Sequence, residues 1–161
     1  MSIPAGVDRD APVRARHEID IGAPLEIVWR LHTGVDSWPA WQTDITAARL
    51  DGAFEVGGSF EWTSYGATIA STIYAVEQTA ERARVLWGGP AAGITGIHEW
   101  VMHQTPGGVH VLTLESLSGE PVEADVARAQ AILDGSLTAW LVHLKAAAES
   151  EGPASGRAGG T

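Results

Sequence analysis

The chain has 161 residues, 20 acidic side chains against 10 basic ones, a formal net charge of −10 and no cysteine. That length fits one domain with one sizeable core; the missing cysteines exclude a disulfide framework, a thiolate metal site and a cysteine nucleophile, and the acidic balance leaves no basic stripe for nucleic acid. With no apolar leader and no run near the ~20 residues of a membrane span, the expected location is cytoplasmic, with no membrane insertion.

Residues 1 to 12 are small, polar and proline-bearing, and are expected to be a flexible N-terminus. VRARHEIDI (13 to 21) alternates as a strand, with Val13, Ala15, His17, Ile19 and Ile21 on one face. GAPLEIVWRLHTG reads as a short helix, Pro24 suiting its first turn and Gly34 its exit. GVDSWPAWQTDI (34 to 45) follows as a second short helix or turn and carries Trp38 and Trp41 around Pro39.

From Ile45 the pattern is strand after strand: 45 to 50, 54 to 64, 67 to 77, 82 to 88, 94 to 105 and 108 to 117, with GGPAAGITG (88 to 96) as a wide turn. After Pro121 the period changes from two to about 3.6. Val126, Ala129, Leu133, Leu137, Trp140, Leu141, Leu144 and Ala148 then form one apolar stripe, with acidic residues in the first turn and Gly152-Pro153 beyond the end. SEGPASGRAGGT (150 to 161) lacks the apolar surface to order itself and is expected to be a disordered tail. A strand, two short helices, an antiparallel meander and a long C-terminal helix make an α+β domain over residues 13 to 149, the helix lying across a curved sheet.

Those elements, and the stretches IDIGAPLEIVWRLHTGVDSWPAWQTDI, GSFEWTSYGATIASTIYAVE, RVLWGG, GITGIHEWVM, GGVHVLTLES and LTAWLVHLKAAAE, resemble the SRPBCC superfamily of START domains, Bet v 1 allergens and bacterial polyketide cyclases. The resemblance implies a helix-grip fold, in which a seven-stranded antiparallel sheet wraps the long helix and two short helices roof a cavity between them. Trp38 and Trp41 would then stand at the cavity wall or entrance, or else simply pin the short helices to the sheet.

If Pro106 and Gly107 are the central turn residues of the last hairpin, Thr105 faces Gly108, and His98 pairs with Glu115, Trp100 with Thr113, and Met102 with Val111. Alternation on the other strands adds Phe60, Trp62, Ile69, Ser71, Ile73, Val85 and Trp87 to the inward set, an aromatic wall carrying a few polar groups, as a small-molecule site would. His98 and Glu115 are the sharpest chemical candidates: a carboxylate beside an imidazole fixes its tautomer and makes a general acid/base, although a buried pair of this kind also serves simply to satisfy itself. Ser71 lacks the glycines of a nucleophile elbow and reads as a hydrogen-bond donor to a ligand or as a small packing residue.

HEWVMH spaces its histidines five apart on an alternating segment, so His98 and His103 fall on opposite faces, and no metal site is expected. No cofactor is expected either. Two principal functions follow from the resemblance: a cyclase or dehydratase acting on a poly-β-keto chain by acid/base chemistry, or a non-catalytic binder of a hydrophobic or aromatic small molecule. A third, an interaction module, lacks an evident apolar patch. Polyketide cyclases often use an inward arginine to polarise a carbonyl, but Arg82 and Arg84 fall on the face opposite Val85 and Trp87. The sequence leaves monomer and homodimer open.

Overall fold

The computed structural model describes residues 2–156, with side chains described to residue 151. Strand β1 (Val13–Ile21) leads to helix α1 (Leu25–Thr33), a 3₁₀ turn (Val35–Ser37) and the one-turn helix α2 (Trp38–Trp41). Strands β2 (Ile45–Asp51), β3 (Ser59–Ser64), β4 (Ala67–Gln78), β5 (Arg82–Ala91), β6 (Ile94–Thr105) and β7 (Gly108–Ser118) follow, then α3 (Glu120–Glu123) and the long helix α4 (Val126–Gly156). The strands form one seven-stranded antiparallel sheet in the order β1-β7-β6-β5-β4-β3-β2. This is the α+β helix-grip arrangement, with the core between the inner face of the sheet and α4.

Alternation explains β1, whose residues Val13, Ala15 and Ile21 are buried while Arg14, Arg16, Glu18 and Asp20 are exposed. Helix α1 turns Leu25, Val28, Leu31 and His32 inward. Trp38 is buried and donates its indole N–H to the His32 carbonyl at 2.9 Å, so it pins α1 to α2. On α4, Leu133, Leu137, Trp140, Leu141, Leu144 and Ala148 are buried, but Val126, expected in that stripe, is exposed at the first turn. The expected acidic first turn is divided: Glu120 and Glu123 belong to α3, and Asp125 caps α4 by accepting the Arg128 N–H at 3.1 Å.

Three boundaries differ from the expectation. β3 starts at Ser59 and not at residue 54, because Gly57 (φ +88) and Gly58 turn the chain onto Ile73 of β4. The glycine-rich segment 88 to 96 is no wide turn: β5 and β6 run on to the pair Ala91 and Ile94, and Ala92 (φ +51) and Gly93 (φ +83) close a two-residue hairpin. The strands cross closely there, since a Cβ on Gly88 would lie 2.1 Å from the Gly96 carbonyl oxygen. Helix α4 also passes the expected stop at Gly152-Pro153 and reaches Gly156; the rest of the expected tail, 157–161, lies outside the described residues.

The N-terminal segment, expected to be loose, lies on the outer face of the sheet. The Ala5 carbonyl accepts from the Arg84 guanidinium at 2.8 Å, and the Asp8 N–H donates to Ser116 Oγ at 2.9 Å. Arg84, on that same face, also meets Glu99 and Glu77, while Leu86, Val101 and Ser116 are buried there.

Candidate functional site

The β6–β7 hairpin turns at Pro106-Gly107 with Thr105 opposite Gly108, so His98 faces Glu115, Trp100 faces Thr113 and Met102 faces Val111. The register places both members of the candidate pair on the inner face. His98 Nδ1 lies 2.7 Å from Glu115 Oε1, with the His98 side chain 2% exposed and that of Glu115 16%. The contact is short but not aligned as a linear hydrogen bond. The other ring nitrogen, Nε2, is 2.7 Å from Thr113 Oγ1, whose hydroxyl also approaches the Glu99 carbonyl at 3.2 Å.

The Thr113 hydroxyl has one hydrogen. If it goes to Glu99, Nε2–H of His98 donates to Thr113; if it goes to Nε2, the ring carries its hydrogen on Nδ1. Nε2 of His98 is thus hydrogen-bonded to Thr113, Nδ1 meets the Glu115 carboxylate without hydrogen-bond alignment, and Glu115 is the more exposed member of the pair.

Ser71 is buried, and its Oγ accepts the Trp62 indole N–H at 3.1 Å, which leaves the hydroxyl hydrogen for another acceptor. Ser71, His98 and Glu115 all line one cavity of about 250 Å³ together with Trp62, Trp87 and Ile69. Its floor is made where Gly88, Gly89 and Gly96 have no side chains, and Leu117 and Ile94 close one side. A smaller cavity of about 140 Å³ shares Trp62, Ile69 and Leu117 with it and reaches Trp140, Ser136 and Asp44.

The remaining expected ligand residues fall elsewhere. Trp38, Phe60, Ile73 and Trp100 are core, and Thr113 is spent on His98; none of these lines either cavity. Trp41 is half-buried against the core and also lies outside both cavities, its indole N–H without a protein partner. The aromatic wall expected to be open is in large part filled: Trp38, Phe60, Trp87, Trp100 and Trp140 pack together, with edge-to-face contacts at ring separations such as 5.3 Å for Trp38 and Phe60 and 5.4 Å for Trp100 and Trp140. The pocket is the end of this interior that the rings leave empty, beside the β5–β6 turn.

His32, passed over in the sequence, belongs to that interior. It is fully buried, 4.8 Å from the Trp100 ring and 6.5 Å from that of Trp87, whose N–H points at His32 Nε2 across 3.4 Å. Burial, and secondarily the neighbouring His98, push its pKa down to about 3, so the ring is neutral. Its hydrogen then sits on Nδ1, a buried N–H without a protein partner. Its place on the buried face of α1, after Leu25 and Val28 in helical spacing, was the available signal. Trp140 and Leu117 were likewise missed as lining residues, as were the three floor glycines. Among the described residues no three His, Asp or Glu side chains converge as a metal-holding group, and no helix is long and apolar enough to cross a membrane.

The fold recurs in solved structures of low sequence identity. A hypothetical protein from Helicobacter pylori superposes with a TM-score of 0.78 at 17% identity, over 92% of this chain and 99% of that one. A START superfamily protein from Mycobacterium smegmatis gives 0.62 at 9% identity, over 88% and 97%. The di-domain ARO/CYC StfQ from the steffimycin biosynthetic pathway gives 0.65 at 14%, over 86% of this chain and 51% of that one. No curated protein matches the sequence. The family model described as polyketide cyclase / dehydrase and lipid transport matches residues 12–149, nearly the whole described fold, and the chain belongs to that SRPBCC-type family.

Proposed function

We propose that the protein binds a hydrophobic or aromatic small molecule in the cavity beside the β5–β6 turn and moves a proton next to a ligand carbonyl, as a cyclase or dehydratase of its family would. The observation that carries this reading is the 2.7 Å contact between His98 Nδ1 and Glu115 Oε1 on the wall of that cavity. The burial of His98 and the bond from its Nε2 to Thr113 reverse the roles expected from the sequence, since Glu115 is the more exposed of the pair. Glu115 takes a proton from the carbon beside the carbonyl, while His98 positions the carboxylate. The C–H electron pair becomes the new C=C bond and the carbonyl π pair moves onto oxygen, where the Ser71 hydroxyl donates a hydrogen bond.

A non-catalytic carrier is the second reading, favoured by the packed rings of Trp38, Phe60 and Trp100, which leave room for a small ligand but little for a folding chain. Exchange of the α-protons of 2-tetralone into deuterated water, followed by NMR, separates the two. An enzyme accelerates the exchange and loses roughly 10²- to 10⁴-fold of that acceleration in Glu115→Gln. Saturable binding of 2-tetralone without acceleration supports the carrier, and no binding at all removes the cavity as the site.

A further inference from the structure

The two cavities meet at Trp62, Ile69 and Leu117, and each carries one carboxylate: Glu115 in the larger, Asp44 in the smaller. Among the described residues no lysine or arginine lines either one. Arg84, one of the arginines weighed from the sequence, is held on the outer face of the sheet by Glu77, Glu99 and the Ala5 carbonyl. The rest of the chain adds to the same sign, with a net charge of −10.

From this we infer that the site discriminates by charge: it accepts neutral ligands and those bearing a basic nitrogen, and rejects carboxylates and phosphates. The inference rests on the cavity being the ligand site and adds the ligand's chemical class to that reading. An anion entering the larger cavity meets the Glu115 carboxylate in a largely apolar chamber whose lining holds no lysine or arginine. An ammonium group finds the reverse. The rings of Trp62 and Trp87, which line the cavity together with Glu115, give such a group aromatic neighbours beside the carboxylate.

Three naphthalene probes of nearly equal size test this by isothermal titration calorimetry at pH 7: 1-naphthylmethanol, 1-naphthylmethylamine and 1-naphthoate. The alcohol and the amine are expected to bind, and the carboxylate to bind at least about tenfold more weakly than the alcohol. Glu115→Gln is expected to lower the affinity for the amine relative to that for the alcohol. Ala67→Arg, at an exposed position on the cavity rim and on the same face of β4 as Ile69 and Ser71, is expected to strengthen the carboxylate selectively. If the carboxylate binds wild-type protein within about twofold of the alcohol, or if neither variant changes the ratios, the charge inference is wrong while the cavity remains the site. If the alcohol itself fails to bind, the cavity reading falls and takes this inference with it.

Discussion

The Trp87 indole N–H points at His32 Nε2 across 3.4 Å inside a core where neither ring touches solvent. That contact uses the lone pair that a proton would need. A charged His32 would have to give up its only polar partner, repel His98 and lose its hydration with nothing in exchange, and this is why its pKa falls to about 3.

The consequence is acid sensitivity of a definite sign. The folded-state pKa is depressed below the ordinary 6.5, so below that value the unfolded chain binds a proton that the folded one refuses. Stability from this group is fully present above pH 6.5 and falls as the pH drops from there toward 3, with a limiting slope of about 1.4 kcal/mol per pH unit. Urea unfolding between pH 7 and 4.5 should show a shallower dependence in His32→Phe than in wild type; equal slopes would mean that His32 titrates normally.

Surface histidine behaves oppositely. His110 lies 2.7 Å from Asp20 and 3.1 Å from Glu18, and these hydrogen bonds, Asp20 first, raise its pKa above 6.5. The interaction is present in full below the unfolded value and is lost as the pH rises through the raised folded value. The side chains are 35%, 85% and 44% exposed, so salt should screen the effect. An NMR titration should find the His110 midpoint raised in wild type and moved down in Asp20→Asn, with a smaller difference in 0.5 M salt than in roughly 0.05 M.

The glycines of the β5–β6 hairpin give a sharper structural test. A methyl group on Gly88 would sit 2.1 Å from the Gly96 carbonyl oxygen, and backbone cannot yield as a side chain tip would. Gly88→Ala should therefore cost more than about 2 kcal/mol and distort the floor of the cavity. Gly107→Ala, whose new methyl meets nothing within 4 Å, should be nearly neutral. Comparable unfolding midpoints for the two variants would show that the strands separate without cost.

How much of this was legible beforehand divides along physical lines. The strand alternation and the Pro106-Gly107 turn carried the pairing of His98 with Glu115, because a period of two admits one register once the turn is placed. The long helix announced itself by its stripe from Leu133 to Ala148. What alternation cannot say is how far a ring extends once it points inward. Phe60 and Trp100, expected to point inward, and Trp38, expected at the cavity wall or entrance or as a pin for the short helices, are buried and fill the interior instead of lining the vacancy. The vacancy lies where residues are small, at Gly88, Gly89 and Gly96, and those read in one dimension as a loop. Two positive-φ positions, Ala92 and Gly93, made that segment a tight hairpin, and an alanine with φ of +51 gives little warning of it.

The site itself can be taken apart at Thr113. This buried side chain holds His98 Nε2 at 2.7 Å, while His98 stacks on Trp87 at 4.7 Å and Trp100 at 5.0 Å. His98→Ala would empty a packed position as well as strand Glu115 and Thr113, so its loss of stability, about 2 to 4 kcal/mol, would obscure any functional effect. Thr113→Val keeps the shape and removes only the hydroxyl, which leaves one ring nitrogen unpaired and should cost about 1 to 3 kcal/mol. Thr113→Ser should restore most of it. Glu115→Gln, at a side chain still 16% exposed, should change stability by less than about 1 kcal/mol yet remove the group that takes the proton. The expected pattern is thus a separation: stability follows Thr113, and exchange of the 2-tetralone α-protons follows Glu115. If Glu115→Gln unfolds the protein as readily as Thr113→Val, and exchange per folded molecule is the same in both as in wild type, the pair is a structural element of the β6–β7 hairpin and the carrier reading stands.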